Sequence, residues 1–269
     1  MGLKVGEVKL VKHNPRWHQM FAQELEELWD YFGDYAIRIS HIGSTAIDGL
    51  EAKPIIDIVV ALKDLDDFDN VSHKFTSNPE YSIKKDFDND EILVRKGGER
   101  NRKFYIHVMD IDSKRYRDVI FFRDTLLHEE EIRNDYRDLK HILAKKYPHN
   151  RKQYTAHKAD FIETTLDMIW AKTTLGPILV IAGVSLITSI IALWARFSVP
   201  YSAEFYHLRV GDISRAGIFF GGVIFLTTIL ASVVLWRRYC NAKKHYKEIV
   251  AKNKKELTKG QYKKETVLR

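Results

Sequence analysis

HIGSTAIDGLEAKPIIDIVV, residues 41–60, decides how the first part of the chain is read. A Gly-Ser-Thr turn (43–45) follows AIRISHI (36–42), which contains the histidine and whose alternation predicts a half-buried strand. Behind the turn, PIIDIVVAL (54–62) is a short continuous apolar run, as in a central strand covered on both faces. One carboxylate, Asp57, interrupts it. Gly43 lets a backbone approach a phosphate, and Ser44 and Thr45 supply hydroxyl and amide donors. A helix starting there would add a dipole favourable to an anion. Asp57 would then offer a carboxylate to Mg2+, a cation that prefers oxygen ligands and bridges protein carboxylates to substrate phosphates. The same residues also fit a plain loop entering a strand with a satisfied core carboxylate. Spacing alone leaves both readings open.

Working outward, Asn14-Pro15 predicts a helix start, with Asn as N-cap and Pro as the first helical residue. Phe21, Leu25, Leu28, Trp29 and Phe32 then share one helical face up to Gly33. EILVRK (91–96) and KFYIHVMDI (103–111) predict two further strands, parted by a turn containing Gly97-Gly98. Beyond Ser113 the pattern predicts three helices, 114–127, 129–147 and 151–172, the second ending before Pro148. Residues 1–172 therefore read as one mixed α/β domain with a small sheet and C-terminal helices.

Two apolar segments follow. Residues 175–195 and 216–236 are each 21 long and free of charge, enough to cross a hydrocarbon core of roughly 30 Å. Trp194/Arg196 and Trp236/Arg237/Arg238 flank them as a bilayer interface favours. Gly183, Ser185, Ser189, Gly221 and Gly222 could let the two helices approach closely. Neither span carries an ionisable residue, so neither has the mark of an ion pathway. The net charge of +7 is uneven: residues 237–269 hold twelve Lys/Arg against three Asp/Glu, leaving about −2 for the rest. The folded domain thus has no charge signature of nucleic-acid binding. The loop 196–215 has three Lys/Arg, so the positive-inside rule makes the protein two-pass, with the N-terminal domain and the tail both cytoplasmic. The basic tail reads as a solvated, partly helical segment, or as one drawn to anionic lipid. Cys240, the sole cysteine, excludes an intrachain disulfide; it is juxtamembrane, where acylation and a free thiol are the alternatives.

The opening stretch is similar to the signature of the GrpB (UPF0157) family, of the nucleotidyltransferase-fold superfamily. The resemblance continues through VKHNPRW (11–17), IHVMD (106–110), FFRDTL (121–126), YRDLKHILAKKYP (136–148) and YTAHKADFI (154–162), covering roughly residues 8–170. It implies a nucleotidyltransferase-like fold, with the membrane hairpin and tail outside it. In that superfamily the Gly-Ser turn holds a triphosphate, and strand carboxylates hold two Mg2+ ions for attack of a hydroxyl on the α-phosphate. Carried over, Gly43 and Ser44 are the turn and Asp57 is the first carboxylate. The second carboxylate position is Val59 here, a departure that matters because two-metal catalysis must neutralise both attacking and leaving oxygens. His107 stands where the family keeps a strand histidine, while the position two earlier, often His, is Tyr105. Strand alternation places Asp110 on the face opposite His107. The resemblance thus implies Asp57 and His107 as catalytic and metal-holding residues, with His41, Gly43, Ser44, Thr45, Lys53 and Arg123 toward a nucleotide phosphate. Lys53 or Arg123 would neutralise phosphate; His41 or His107 would ligate metal or move a proton. Each histidine, and the Arg123-Asp124 pair, also has a purely structural reading.

Three functions compete on these residues. One is a Mg2+-dependent nucleotidyl transfer from a nucleoside triphosphate to an unknown acceptor. The second is a nucleotide-binding sensor without turnover, coupled to the membrane hairpin. The third is a membrane-tethered adaptor whose hairpin oligomerises.

Overall fold

The computed structural model describes residues 2–4, 6–86, 90–198 and 204–267, with side chains described except at 86, 195–219 and 259–267. The chain divides into two compact units, Met1–Glu163 with Glu248–Arg269, and Thr164–Lys247.

In the first unit, helix α1 (Arg16–Phe32) starts where the Asn-Pro pair predicts. Pro15 is already helical, and the Arg16 N–H donates to Asn14 Oδ1 at 3.0 Å. Gly33, at φ +55°, ends it. Strands β1 (Ala36–Ile42), β2 (Ile56–Leu62), β3 (Tyr81–Asp86), β4 (Glu91–Lys96) and β5 (Phe104–Asp110) form one sheet in the order β1-β2-β5-β4-β3. All neighbours are antiparallel except β2 and β5, which run parallel with Asp57 opposite Tyr105 and Val59 opposite His107. Helix α2 (Phe68–Thr76) and β3 lie in the stretch for which the sequence patterns predict no element. Helices α3 (Lys114–His128) and α4 (Glu130–Lys146) follow, close to the expected bounds.

Alternation along the central strands divides the core. Ile56, Ile58, Val60, Ile106 and Val108 pack with Leu28, Phe32, Phe68 and Phe75 under α1 and α2. On the other face Val59, Ala61 and Met109 meet Ile42 and Tyr116 beneath α3. Asp57 and His107 share that second face, because they fall on the odd positions with Val59 and Met109.

The remaining helices are longer than the sequence patterns predict. Helix α5 (Arg151–Ser198) passes through Pro177 without the expected break after 172. The Thr173 and Thr174 hydroxyls donate to carbonyls one turn earlier, at Ile169 and Trp170, just before the proline removes a ladder donor. Helix α6 (Glu204–Val267) likewise carries the second apolar segment into the basic tail unbroken. Both are long and apolar enough to cross a membrane, and their apolar stretches are mostly exposed. Within the second unit, a Cβ on Gly221 would lie 2.3 Å from Ser189 Oγ and 3.4 Å from the Ser185 carbonyl, so the absence of a side chain there allows close helix packing. Gly183 and Gly222 face open space. The basic residues of the 196–215 loop lie outside the described side chains.

Candidate functional site

Gly43 turns the chain out of β1 with φ +70° and ψ −171°, a conformation nearly restricted to glycine. Asp57 supplies a second constraint: a Cβ on Gly43 would lie 2.6 Å from Asp57 Oδ2 and 3.1 Å from its Cβ. The carboxylate is therefore seated directly on the backbone of the Gly-Ser turn. Ser44–Ala46 make a single 3-10 turn, and the next α-helix after it starts only at Phe68. The helix dipole considered from the sequence is thus not part of this turn.

The other residues expected near the phosphate divide by what they touch. Thr45 is buried, with its hydroxyl 3.0 Å from His41 Nε2. His41 stacks on Phe21, with centroids 4.8 Å apart, and meets His18 edge-on at 5.4 Å. Burial first, then the nearby His18 and Arg123 charges, push the His41 pKa down to about 4. His41 is therefore neutral at physiological pH, and with Thr45 it braces the turn from behind. Arg123 donates to the His41 carbonyl at 3.2 Å and pairs with Asp124 at 2.7 Å, pinning the end of β1 to α3. Ser44 is half-buried in the turn itself.

His107 joins two carboxylates across three strands. Its Nε2 is 3.7 Å from Asp57 Oδ1, and its Nδ1 donates to Glu91 Oε1 at 2.5 Å. Arg115 approaches Glu91 from α3 at 3.6 Å. Burial works against a charged His107, but the two carboxylates outweigh it and raise its pKa to about 9. Burial likewise works to raise Asp57, yet His107, Lys53 and Arg151 hold it below the usual carboxylate range. With both ring nitrogens facing carboxylates, His107 is an imidazolium bridge at neutral pH. Asp57 is left as the oxygen donor at the turn. Val59, two residues beyond Asp57 on β2, is fully buried against Ile42, Met109 and Tyr116.

Cations dominate the other side of Asp57. Lys53 and Lys158 both lie over the Tyr154 ring at 5.2 Å. Lys158 also reaches the Tyr136 hydroxyl at 3.5 Å, and Lys140 lies over the Tyr136 ring at 5.1 Å. Arg151 stacks on Tyr105 at 4.5 Å and donates to its hydroxyl. Among the described residues, none of these four cations has a carboxylate within ion-pair distance, and Lys140, 1% exposed, has only the Glu51 carbonyl at 2.5 Å. Burial first, then neighbouring charges including Lys158, lower Lys140 to about 6; burial, Arg151 and Lys158 lower Lys53 to about 7.

The sequence reading names Lys53 but not Glu91, Lys140, Arg151 or Lys158. A signal for two of them is present in the motifs: Tyr136/Lys140 and Tyr154/Lys158 are i,i+4 pairs, which places ring and ammonium on one helical face. Lys140 also falls among the buried α4 positions Tyr136, Leu139 and Leu143.

Residues 7–168 match the family described as GrpB protein. The glutamate-rich protein GrpB of Alkalihalophilus pseudofirmus is 34% identical over 172 residues, covering 62% of this chain and 98% of that protein. The UPF0157 protein PA4798 of Pseudomonas aeruginosa is 29% identical over 170 residues, covering 62% and 69%. The crystal structure of the conserved protein GrpB from Enterococcus faecalis superposes with a TM-score of 0.54 at 25% identity, over 60% of this chain and 99% of that one. The family match spans more than half of the chain, and the similarity in sequence and in structure falls on the same part: the chain belongs to the GrpB family.

Proposed function

We propose that the first unit binds a nucleoside triphosphate with its polyphosphate between the Gly43-Ser44 turn and the Lys53/Lys140/Arg151/Lys158 group, and transfers its nucleotidyl group to an acceptor hydroxyl. The observation that carries this reading is the group of basic residues beside Asp57, none of which, among the described residues, has a carboxylate within ion-pair distance. Desolvated, unpaired ammonium groups are costly unless an anion joins them. Asp57 suits Mg2+, which takes one or two protein carboxylates and completes its shell with water and substrate phosphate. His107, a nitrogen donor held between carboxylates, does not suit that ion. Mg2+, when bound, would neutralise phosphate charge at the turn. His107 would hold Asp57 in place through Glu91, and Arg151 and the lysines would orient the polyphosphate and balance the departing pyrophosphate. Asp57 as the one carboxylate beside the turn, with Val59 where a second would stand, favours a second reading, nucleotide sensing without turnover; turnover lost in Asp57→Asn distinguishes the two.

The test uses the full chain in detergent, heated with nucleoside triphosphates and Mg2+. A ligand at a hundredfold excess over its Kd stabilises by about 2.7 kcal/mol. Lys140→Met is expected to abolish that shift while leaving the unliganded protein at least as stable, since a buried amine with no carboxylate within ion-pair distance is replaced by an apolar side chain of similar length. Lys140 and Lys53 have folded pKa values of about 6 and 7 against 10.5. Between those limits the unfolded chain binds more protons, so unliganded stability should rise with pH, and less steeply in Lys140→Met. No shift with any nucleotide in the folded protein would overturn the proposal.

We further propose that α5 and α6 cross the membrane as a hairpin, with the domain and the tail both cytoplasmic. Apolar windows this exposed are unfavourable in water, and Trp194 and Trp236 are 68% and 54% exposed near the ends of the apolar stretches. Lys254 of the tail lies 3.8 Å from Asp135 of the domain, a contact that supports placing both on one side. Basic residues close to an anionic leaflet would each add about 1 kcal/mol of attraction. The full chain should remain with membranes after an alkaline carbonate wash; release into the wash would overturn the hairpin. The adaptor reading gains support only if nucleotide binding fails while the membrane result holds.

A further inference from the structure

We propose that His13, His18 and Asp48 form a binding site for a divalent transition-metal ion, with Zn2+ the best match, separate from the Asp57 turn. His13 Nε2 and His18 Nε2 both approach one oxygen, Asp48 Oδ1, at 3.4 and 2.9 Å. One ligand atom from each of the three residues lies within 4.8 Å of the others. Ligands about 2.0–2.1 Å from a tetrahedral zinc stand roughly 3.3 Å apart, so two of the three edges already have the spacing that such an ion imposes. Two imidazoles and one carboxylate are a borderline donor set, suited to zinc and its neighbours rather than to Mg2+ or Ca2+.

The fold brings these residues together by specific means. Val11 and Ala52 exchange backbone hydrogen bonds at 2.9 and 3.1 Å, tying the segment before α1 to the loop after the Gly-Ser turn. The Asn14 cap starts α1 so that His18 stands in its first turn, beside His13. His13 rests edge-on against the buried Trp17 at 5.3 Å, and the buried Ile47 and Leu50 fix the loop on either side of Asp48. The pocket side is held by His13, 13% exposed, while His18 and Asp48 are 44% and 85% exposed. An ion bound here keeps at least one position open to water or a ligand. His18 also touches His41, which bonds Thr45, so the ion would brace the rear of the turn through one ring contact.

The full chain, stripped with a chelator and titrated with Co2+ as a spectroscopic stand-in for Zn2+, should bind one equivalent and develop visible absorption bands. His18→Ala and Asp48→Asn, both at exposed positions, should each weaken binding at least tenfold, and Zn2+ should raise the melting temperature of the parent protein only. Asp57→Ala should bind Co2+ as the parent does. An unchanged titration in His18→Ala would place the ion elsewhere, and no saturable binding in the folded parent would leave a hydrogen-bonded His-Asp pair only; either result overturns the site.

Discussion

His107→Ala is expected to destabilise the protein by about 3 kcal/mol, the lower end of what breaking a buried ion pair costs. The imidazolium lies between Asp57 and Glu91, and Glu91 is almost wholly buried with only Arg115, at 3.6 Å, left to face it. Deleting the ring removes both contacts and opens a cavity between β2, β5 and β4. The effect should depend on pH in a defined direction. The His107 pKa is raised from 6.5 to about 9, so its contribution is complete below about 6.5 and is lost as pH rises through about 9. Asp57 and Glu91 are lowered, so theirs is present above the ordinary carboxylate range and is lost as pH falls through their depressed values. The gap between parent and His107→Ala in urea midpoint should therefore be widest near pH 6 and narrow by pH 9.5. A gap that widens with alkalinity would show that the bridge is not ionic. Glu91→Gln, alone and with His107→Ala, should show non-additive costs, since the two residues form one network.

Gly43→Ala should cost about 2–3 kcal/mol, the backbone strain of a residue held outside its allowed region, and should also remove nucleotide stabilisation. The added methyl meets Asp57 Oδ2 at 2.6 Å, so either the turn or the carboxylate must move. Gly49 provides the internal control. It too has a positive φ, +74°, but a Cβ there meets nothing within 4 Å. Gly49→Ala should therefore show strain without loss of ligand, and the difference between the two variants isolates the contact with Asp57. Equal effects on ligand binding would mean that the seating of the carboxylate on the turn has no bearing on the site.

Much of the scaffold is legible in the sequence. Strands β1, β2, β4 and β5 follow from alternation and apolar runs, and α1, α3 and α4 from their periodicity and caps. The edge strand β3 is not, because its apolar Tyr81 and Ile83 are followed by Lys84 and Lys85, a pattern that suits an edge and resembles a loop. The full length of α5 is not legible because its pattern changes from an amphipathic face to a continuous apolar run near residue 172, which reads as two helices, while the structure carries one helix through Pro177. In the candidate site, Gly43, Asp57 and His107 carried local signals of turn and strand. Glu91 did not: its meeting with His107 depends on the pairing of Leu93 with His107, a matter of register between strands. The lysines were obscured differently, since a charge among apolar helix positions looks like an interruption until its aromatic partners are in place.

The parallel pairing of β2 with β5 has a kinetic consequence. Glu91 and His107 are 16 positions apart and meet across a local hairpin, whereas Asp57 and His107 are about 50 positions apart and meet only when a long loop closes. Local pairings form readily, while distant ones must bear the closure entropy before any contact rewards them. A chain with the β4–β5 and β1–β2 pairs formed but β2 undocked from β5 would hold the two halves of the site apart, His107 with Glu91 on one and Asp57 with the turn on the other. The grip on Asp57 thus exists only after the most distant pairing in the sheet is made, so a ligand gripped there recognises completed molecules and ignores partly folded ones.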